Sequence, residues 1–536
     1  MVNLWFPFAC YRETSPRAAG CGRRDDWMGS PSPTLSLPLA NAPATVRLGV
    51  VGSSLATLAL AVIVTGAPLV AQLLSPLIAL PLAAVLAFAL ANHLPRFVPA
   101  VVIFATMFQN TFVSLLSPWI ADTEAFNFIR GYTFFITVVC WLVLVGAFLA
   151  RPQEHGPLTT KLIRRGIALL LVIGGFAAFG LVKNGAGAII YTRNIVTPIL
   201  LLHLMLLTAG RERLDVGRMI FVYALLLFGC GWLEMTARPV WLMLTNGESY
   251  WELNSAGLRS VGYWEQVLKQ TGFVFREMND FFRINLFNTP YLEGIVVLRL
   301  HGPNIHAISF GYALAFMALF LLASGRPLLA ALAVPLLVLA STKGAMLVVA
   351  MVIVAWGATR LLGARPALWL MLALLVVYAT AMFVDGLATG DYHVIGLLGG
   401  LKGFASNPIG HGIGSGGNLT GSVSLEEWSK AQNAGTFEGA VESAVGVLLY
   451  QMGASGLLVL AYYLDVAREA WRRYARSGLL HQGLAAFGTM VVVVNGLFQE
   501  EALFSPLALG LMLAFAGLVL GAAERVEVGA SRSRGP

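Results

Sequence analysis

The stretch 332–357, LAVPLLVLASTKGAMLVVAMVIVAWG, carries one full charge, Lys343. Counted from Pro327, the run is too apolar for a surface helix and too long for a single bilayer crossing of about 20 residues. A charged group at bilayer depth costs at least ~2.5 kcal/mol by insertion scales. Placing Arg326 and Arg360 in loops on one side of a membrane resolves both problems. Ser341-Thr342-Lys343-Gly344 then forms a turn between two short membrane helices, and Lys343 reaches the opposite surface.

The rest of the chain has the same character. Its 536 residues are 57% hydrophobic and only 12% charged, with a mean hydropathy of +0.76. A soluble domain carries about 25% charged residues, so the composition excludes a soluble enzyme and implies an integral membrane protein with many spans. Apolar segments fall near 48–68, 73–93, 97–117, 131–150, 166–183, 187–208, 218–237, 304–323, 327–341, 344–361, 367–384, 442–464, 479–497 and 504–521. The expected fold is therefore all-α, a polytopic bundle of about fourteen transmembrane helices.

Lys and Arg set the orientation. With the N-terminus inside, the inner loops hold Arg151, Lys161, Arg164 and Arg165, then Arg211, Arg213 and Arg218, then Arg468, Arg472, Arg473 and Arg476. Outer loops hold Asp122 and Glu124, and later Glu500 and Glu501. The formal charge of +8 thus reflects topology, and no nucleic-acid partner is expected. Both termini fall on the inner, cytoplasmic side. The expected organisation is a polar, disordered segment 1–46 without a cleavable signal peptide, with Met28 as an alternative start. Helices one to seven follow over 47–237, an outer loop over 238–303, helices eight to eleven over 304–384 and a second outer loop over 385–441. Helices twelve to fourteen occupy 442–521, and an inner tail covers 522–536. The four cysteines form no C-x-x-C pair and suggest neither a disulfide framework nor a thiol site.

Both long outer loops exceed ordinary connectors. In the first, Trp264, Leu268, Thr271, Phe275, Met278 and Phe282 recur at helical spacing, with Glu265, Lys269, Arg276 and Asp280 elsewhere. That stripe predicts an amphipathic helix at the membrane surface, either capping the bundle or offering aromatic faces to sugar rings. The second is glycine-rich between Pro408 and Gly417, a composition suited to turns and close backbone approach.

Candidate functional residues gather on the same side. Lys343 reads either as a snorkelling lysine or as a cation for a buried anion. Arg299, His301, Gly302, Asn304 and His306 mark the exit of the first loop, where Pro303 suits a helix N1 position and open N–H groups favour an anion. The histidines are five apart, off one helical face, so no metal site is expected. Arg193 lies near the outer end of its span, as half of an ion pair with Glu234 or as an anion ligand. Glu438 and Glu442, four apart, read either as N-terminal helix charges or as carboxylates with a raised pKa suited to general-base work.

Taken together, these segments resemble the bacterial O-antigen polymerase and O-antigen ligase group, membrane glycosyltransferases related to the GT-C class. The resemblance runs from Arg299 to Leu464 through four motifs in order: Arg299 with Gly302-Pro303-Asn304; Ser341-Thr342-Lys343-Gly344; Pro408 with Gly410, Gly412 and Gly414; and Glu442-Ser443 through Gly453 and Gly456. Lys343 stands where the group has an arginine. The His-Asn pair that the ligases carry ahead of the last of these helices has no counterpart, since no histidine lies between His411 and His481.

The resemblance implies a metal-independent, inverting transfer from a polyprenyl-diphosphate-linked oligosaccharide to a lipid-linked acceptor, in a bacterial inner membrane. No cofactor is implied, and a chain-length regulator is the protein partner such enzymes suggest. In that reading Arg299, Lys343, Arg193 and Asn304 hold the diphosphate, and Glu442, Glu438 or His411 accepts the hydroxyl proton. Membrane lipid surrounds the whole. Competing readings are an O-antigen ligase, a lipid-linked oligosaccharide flippase or other transporter, and a structural subunit of an export complex. Transporters usually show internal repeats and short loops, whereas the halves of this chain show no convincing repeat and two long outer loops sit asymmetrically toward its C-terminal half.

Overall fold

The protein is described here by a computed structural model covering residues 44–260, 282–292, 294–419, 425–437 and 439–532. Among the described residues, eleven helices are long and apolar enough to cross a membrane. In chain order they are α1 (Ser53–Gln72), α2 (Pro76–His93), α3 (Pro95–Trp119), α4 (Thr123–Ala150), α5 (Pro157–Asn184), α6 (Ala186–Arg211) and α7 (Val216–Thr236). After three shorter apolar helices are counted in place, the numbering continues through α8 (Ala307–Ala323), α9 (Pro327–Ala340), α10 (Lys343–Leu362) and α11 (Ala364–Thr389). It ends with α12 (Ala444–Ser477), α13 (Leu480–Asn495) and α14 (Pro506–Glu527). The shorter ones are α8, α9 and α13. The chain is an all-α, multi-pass membrane bundle, and each expected apolar segment overlaps one of these helices.

Lipid tails are as apolar as leucine, so helices in a membrane associate by close packing and small residues. The pairing of α14 with α6 follows that rule. A Cβ on Gly517 would lie 2.7 Å from the Leu202 carbonyl oxygen, and one on Gly521 would lie 2.6 Å from that of Leu206. Only glycines one turn apart let the backbones come this near. Helix α6 is buried on every side from Asn194 to Ala209, which makes it the central stave of the bundle.

The basic loops gather at one end. Lys161 pairs with Glu469 at 2.7 Å, Arg165 with Asp465 at 2.5 Å, and Arg211 with Glu154 at 2.9 Å. Arg473 holds Glu527 through both nitrogens at 2.9 and 3.1 Å. Buried Glu524 caps the start of α5, accepting from the Leu158 N–H at 2.7 Å and the Thr159 N–H at 3.0 Å.

At the other end lie the two long segments. The first contains helices Arg238–Thr245 and Gly247–Ser260 and an antiparallel strand pair, Arg283–Asn285 with Val296–Leu298. The second contains helices Tyr392–Ser406 and Leu425–Ala434. The former packs Val394 and Leu397 against Phe498 in a small apolar cluster of its own.

Several expectations change. A helix already begins at Ala44, inside the expected disordered segment 1–46, whose residues 1–43 lie outside the described ones. Residues Trp264 to Met278 of the expected amphipathic helix also lie outside the described residues, as does Glu438. Helix α8 starts at Ala307, not at Pro303, because Gly302 and Ile305 take positive φ of 62° and 50° and turn the chain first. The expected helix from Glu442 begins only at Ala444, capped by the Ser443 hydroxyl, and breaks at Gly453–Ser455 before resuming at Gly456.

Candidate functional site

The four motifs lie far apart in the chain, and the fold brings them together at the end of the bundle that carries the long segments. Arg299 donates through Nε to the Ala340 carbonyl at 3.0 Å, tying the first motif to the second. Ser341 ends α9 with a left-handed φ of 53°, and α10 opens at Lys343. The glycine-rich segment lies against the C-terminal turn of helix Ala444–Met452. The N–H groups of His411 and Gly412 donate to the carbonyls of Tyr450 and Gln451, both at 2.9 Å, and Ala454 N–H donates to the Pro408 carbonyl at 2.9 Å. Gly410 has a φ of 97°, and a Cβ there would meet the Gln451 carbonyl at 2.6 Å, so this crossing requires glycine.

Between α3, α4, α6, α8 and the α13–α14 turn is a cavity of about 440 Å³. Three arginines line it: Arg130 at the break in α4, Arg193 two turns into α6, and Arg299. Among the described residues, none of the three has a carboxylate at ion-pair distance. Arg130 reaches only Asn254 at 3.4 Å and the face of Phe126, 5.2 Å from its centroid. Arg193 reaches only Asn194, at 3.4 Å. Asn304, Asn418, His306, Glu500 and Glu501 are among the other polar residues of the wall.

The expected ion pair of Arg193 with Glu234 does not form. Glu234, buried at 3% exposure, accepts the N–H groups of His301 at 3.0 Å and Gly302 at 2.7 Å, with Arg238 at 3.8 Å. It thereby fills the backbone donors that the sequence had offered to an anion. Arg193 is left facing the cavity.

Burial and the charges of Arg299 and Arg130 push His306 down to about 4. Burial, with Arg299 and Arg238 adding to it, holds His301 well below the usual histidine range. Both rings are neutral at physiological pH, so the permanent positive charge is arginine's.

Acids stand opposite. Glu500 is fully engaged: it accepts the Tyr191 hydroxyl and, at 3.0 Å, the Asn418 N–H. Burial pushes it up to about 7 against those bonds. Glu501 lines the cavity with it; burial raises Glu501, while Arg299 pulls it down. Glu442 stands beside them, pushed up to about 8 by burial first and then by the charges of Glu501 and Glu500. Three carboxyls in mutual reach titrate as a set and carry fewer than three charges near neutrality. Glu442 has a φ of 61°, the left-handed region where a non-glycine residue is strained. His393 approaches its carboxylate at 3.7 Å, and the Asn418 side chain bonds to it.

Of the residues singled out from the sequence, Arg193, Arg299 and Asn304 line the cavity. Glu442 sits beside its acids. Lys343 is exposed at the first turn of α10, outside the cavity lining, and its charge is felt by His393. His411 does not line the cavity: its ring stacks on Tyr450 with centroids 4.1 Å apart and bonds to that residue's carbonyl at 3.0 Å. Sequence reading missed Arg130, Glu500 and Glu501 as site residues. The acids marked only topology there, although two adjacent glutamates in a short turn between apolar helices were the available signal. Among the described residues, no cluster of three His, Cys, Asp or Glu side chains is arranged to hold a metal ion.

Compared with protein-family models, curated proteins and solved structures, the chain matches none.

Proposed function

We propose that this chain is a membrane glycosyltransferase of the polysaccharide-polymerase type, GT-C-like in architecture and working at the periplasmic face of a bacterial inner membrane with both termini cytoplasmic. It moves glycan from a polyprenyl-diphosphate-linked donor to a hydroxyl of a lipid-linked acceptor repeat unit. One observation carries the reading: three arginines with no carboxylate at ion-pair distance among the described residues share a cavity with two glutamates, Glu500 and Glu501, at the end of the bundle that holds the long segments. Unpaired cations at membrane depth are costly unless they serve a ligand, and a diphosphate presents oxygens that match the guanidinium fork.

In this mechanism Arg130, Arg193 and Arg299 hold the diphosphate, and Asn304 orients it. The acceptor oxygen attacks the anomeric carbon from the face opposite the diphosphate, inverting it. The bond from that carbon to the diphosphate oxygen breaks, and the electron pair leaves with the diphosphate, where the arginines stabilise the developing charge. The hydroxyl proton passes to Glu501, with Glu442 behind it as the second carboxyl of the set. Lys343 lies outside the cavity lining and, in this reading, steers the anionic headgroup at the rim.

A second reading, an O-antigen ligase, has one observation in its favour. His393 and Asn418 flank Glu442 in space and bring beside it the two residue types that the sequence lacks as a pair ahead of α12. Purified protein given a lipid-linked oligosaccharide without added metal separates the outcomes. Lengthened lipid-linked product supports the polymerase, and transfer only to a lipid A-core acceptor supports the ligase. No transfer to either acceptor, with the protein folded, overturns the glycosyltransferase reading.

A further inference from the structure

A second cavity, of about 340 Å³, lies at the opposite, basic end, where residues 53–58 of α1 meet the first turns of α3 and α7. We propose that it binds the headgroup of an anionic phospholipid from the adjoining leaflet.

Its lining is split by chemistry. Arg96, Arg213 and Arg218 stand against a single acid, Asp215, with Ser53, Ser54 and Thr57 adding hydroxyls. The remaining wall is apolar, including Leu58, Pro99, Met219 and Val222. Arg218 pairs with Asp215 at 2.7 Å and reaches the Ser53 hydroxyl at 3.4 Å, yet its Nε is buried with no hydrogen-bond partner. Arg96 lies over the Phe97 ring, 4.7 Å from the centroid. Arg213 faces another cation, Arg525. Neither Arg96 nor Arg213 has a carboxylate at ion-pair distance among the described residues. One acid therefore answers three arginines in this lining.

A phosphate-bearing anion satisfies the charge and the orphaned Nε donor. The apolar wall assigns that phosphate to a lipid rather than to a free ion, because acyl chains continue from the headgroup along surface that water does not favour. Cationic pockets between helix ends are the expected form of such sites.

The test uses full-length protein with native mass spectrometry and thermal unfolding, comparing phosphatidylglycerol, phosphatidylcholine and inorganic phosphate. Phosphatidylglycerol binds and stabilises; phosphatidylcholine does so more weakly, and phosphate alone does not. Arg96→Ala and Arg213→Ala each weaken phosphatidylglycerol about five-fold, the fold-change for one cation at a lipid surface. Arg476→Ala, an exposed arginine at the same end but outside the cavity, leaves binding unchanged. Equal binding of both lipids, an equal loss in Arg476→Ala, or a full effect from phosphate alone would each overturn the assignment.

Discussion

Replacing Arg193 by methionine separates a ligand-holding arginine from a structural one. A guanidinium inside a span costs about 2.5–3.5 kcal/mol at the helix centre by insertion scales, less beside a water-filled cavity. In this protein it is offset by one long hydrogen bond, 3.4 Å to Asn194, and Arg130 adds repulsion. Methionine keeps the stem's volume and removes the charge. Arg193→Met is therefore expected to unfold at the same temperature as the parent or a few degrees higher. Binding of a polyprenyl diphosphate then loses one charge-assisted contact of about 1.5–3 kcal/mol, or roughly 10- to 150-fold in Kd. If Arg193 acts more strongly on the leaving diphosphate than on the bound one, the transfer rate falls by about 10²–10³. Microscale binding of the lipid diphosphate, product length on gels and a thermal scan read all three quantities. A variant that melts several degrees lower while binding the diphosphate normally would show that Arg193 is a strut of the bundle. The anion site would then be misassigned.

Further predictions concern the acids and the frame. Glu442 and Glu500 have folded pKa values raised to about 8 and about 7 from an ordinary 4.5. The stability tied to their protonation is full below about 4.5 and is lost as pH rises through 7 and 8. Melting temperature should fall across that window, with a smaller fall in Glu442→Gln. Transfer activity should rise with pH, because the base must be ionised and burial raises Glu501 above the ordinary carboxylate range; Glu501→Gln should abolish the rise and leave diphosphate binding intact. Gly517→Leu places a side chain where a Cβ would already sit 2.7 Å from the Leu202 carbonyl. It should cost about 1–3 kcal/mol or more by forcing α6 and α14 apart, seen as lower yield of folded protein in detergent. Glu524→Ala removes the cap of α5 and should cost about 1–2 kcal/mol while diphosphate affinity stays at the parental value. Changed affinity there would mean that the two ends of the bundle are coupled.

The sequence determined by itself that this is a multi-pass helical membrane protein and where its apolar segments lie. Hydrophobic length and charge along the chain are one-dimensional properties, fixed by the bilayer's thickness. It also placed the turn at Ser341–Lys343 and put Arg193, Arg299 and Asn304 on one side. It could not say which cation faces which acid. Glu234 turned from Arg193 to the N–H groups of His301 and Gly302 because the chain bends at Gly302 and Ile305 before α8 begins. His411 was drawn onto Tyr450 by the crossing at Gly410. Arg130, Glu500 and Glu501 entered the site only when α4 and the α13–α14 turn were brought beside α6. Such choices depend on which donors and acceptors meet once helices pack, and burial then raises the cost of leaving any of them unpaired. Tertiary structure decided them.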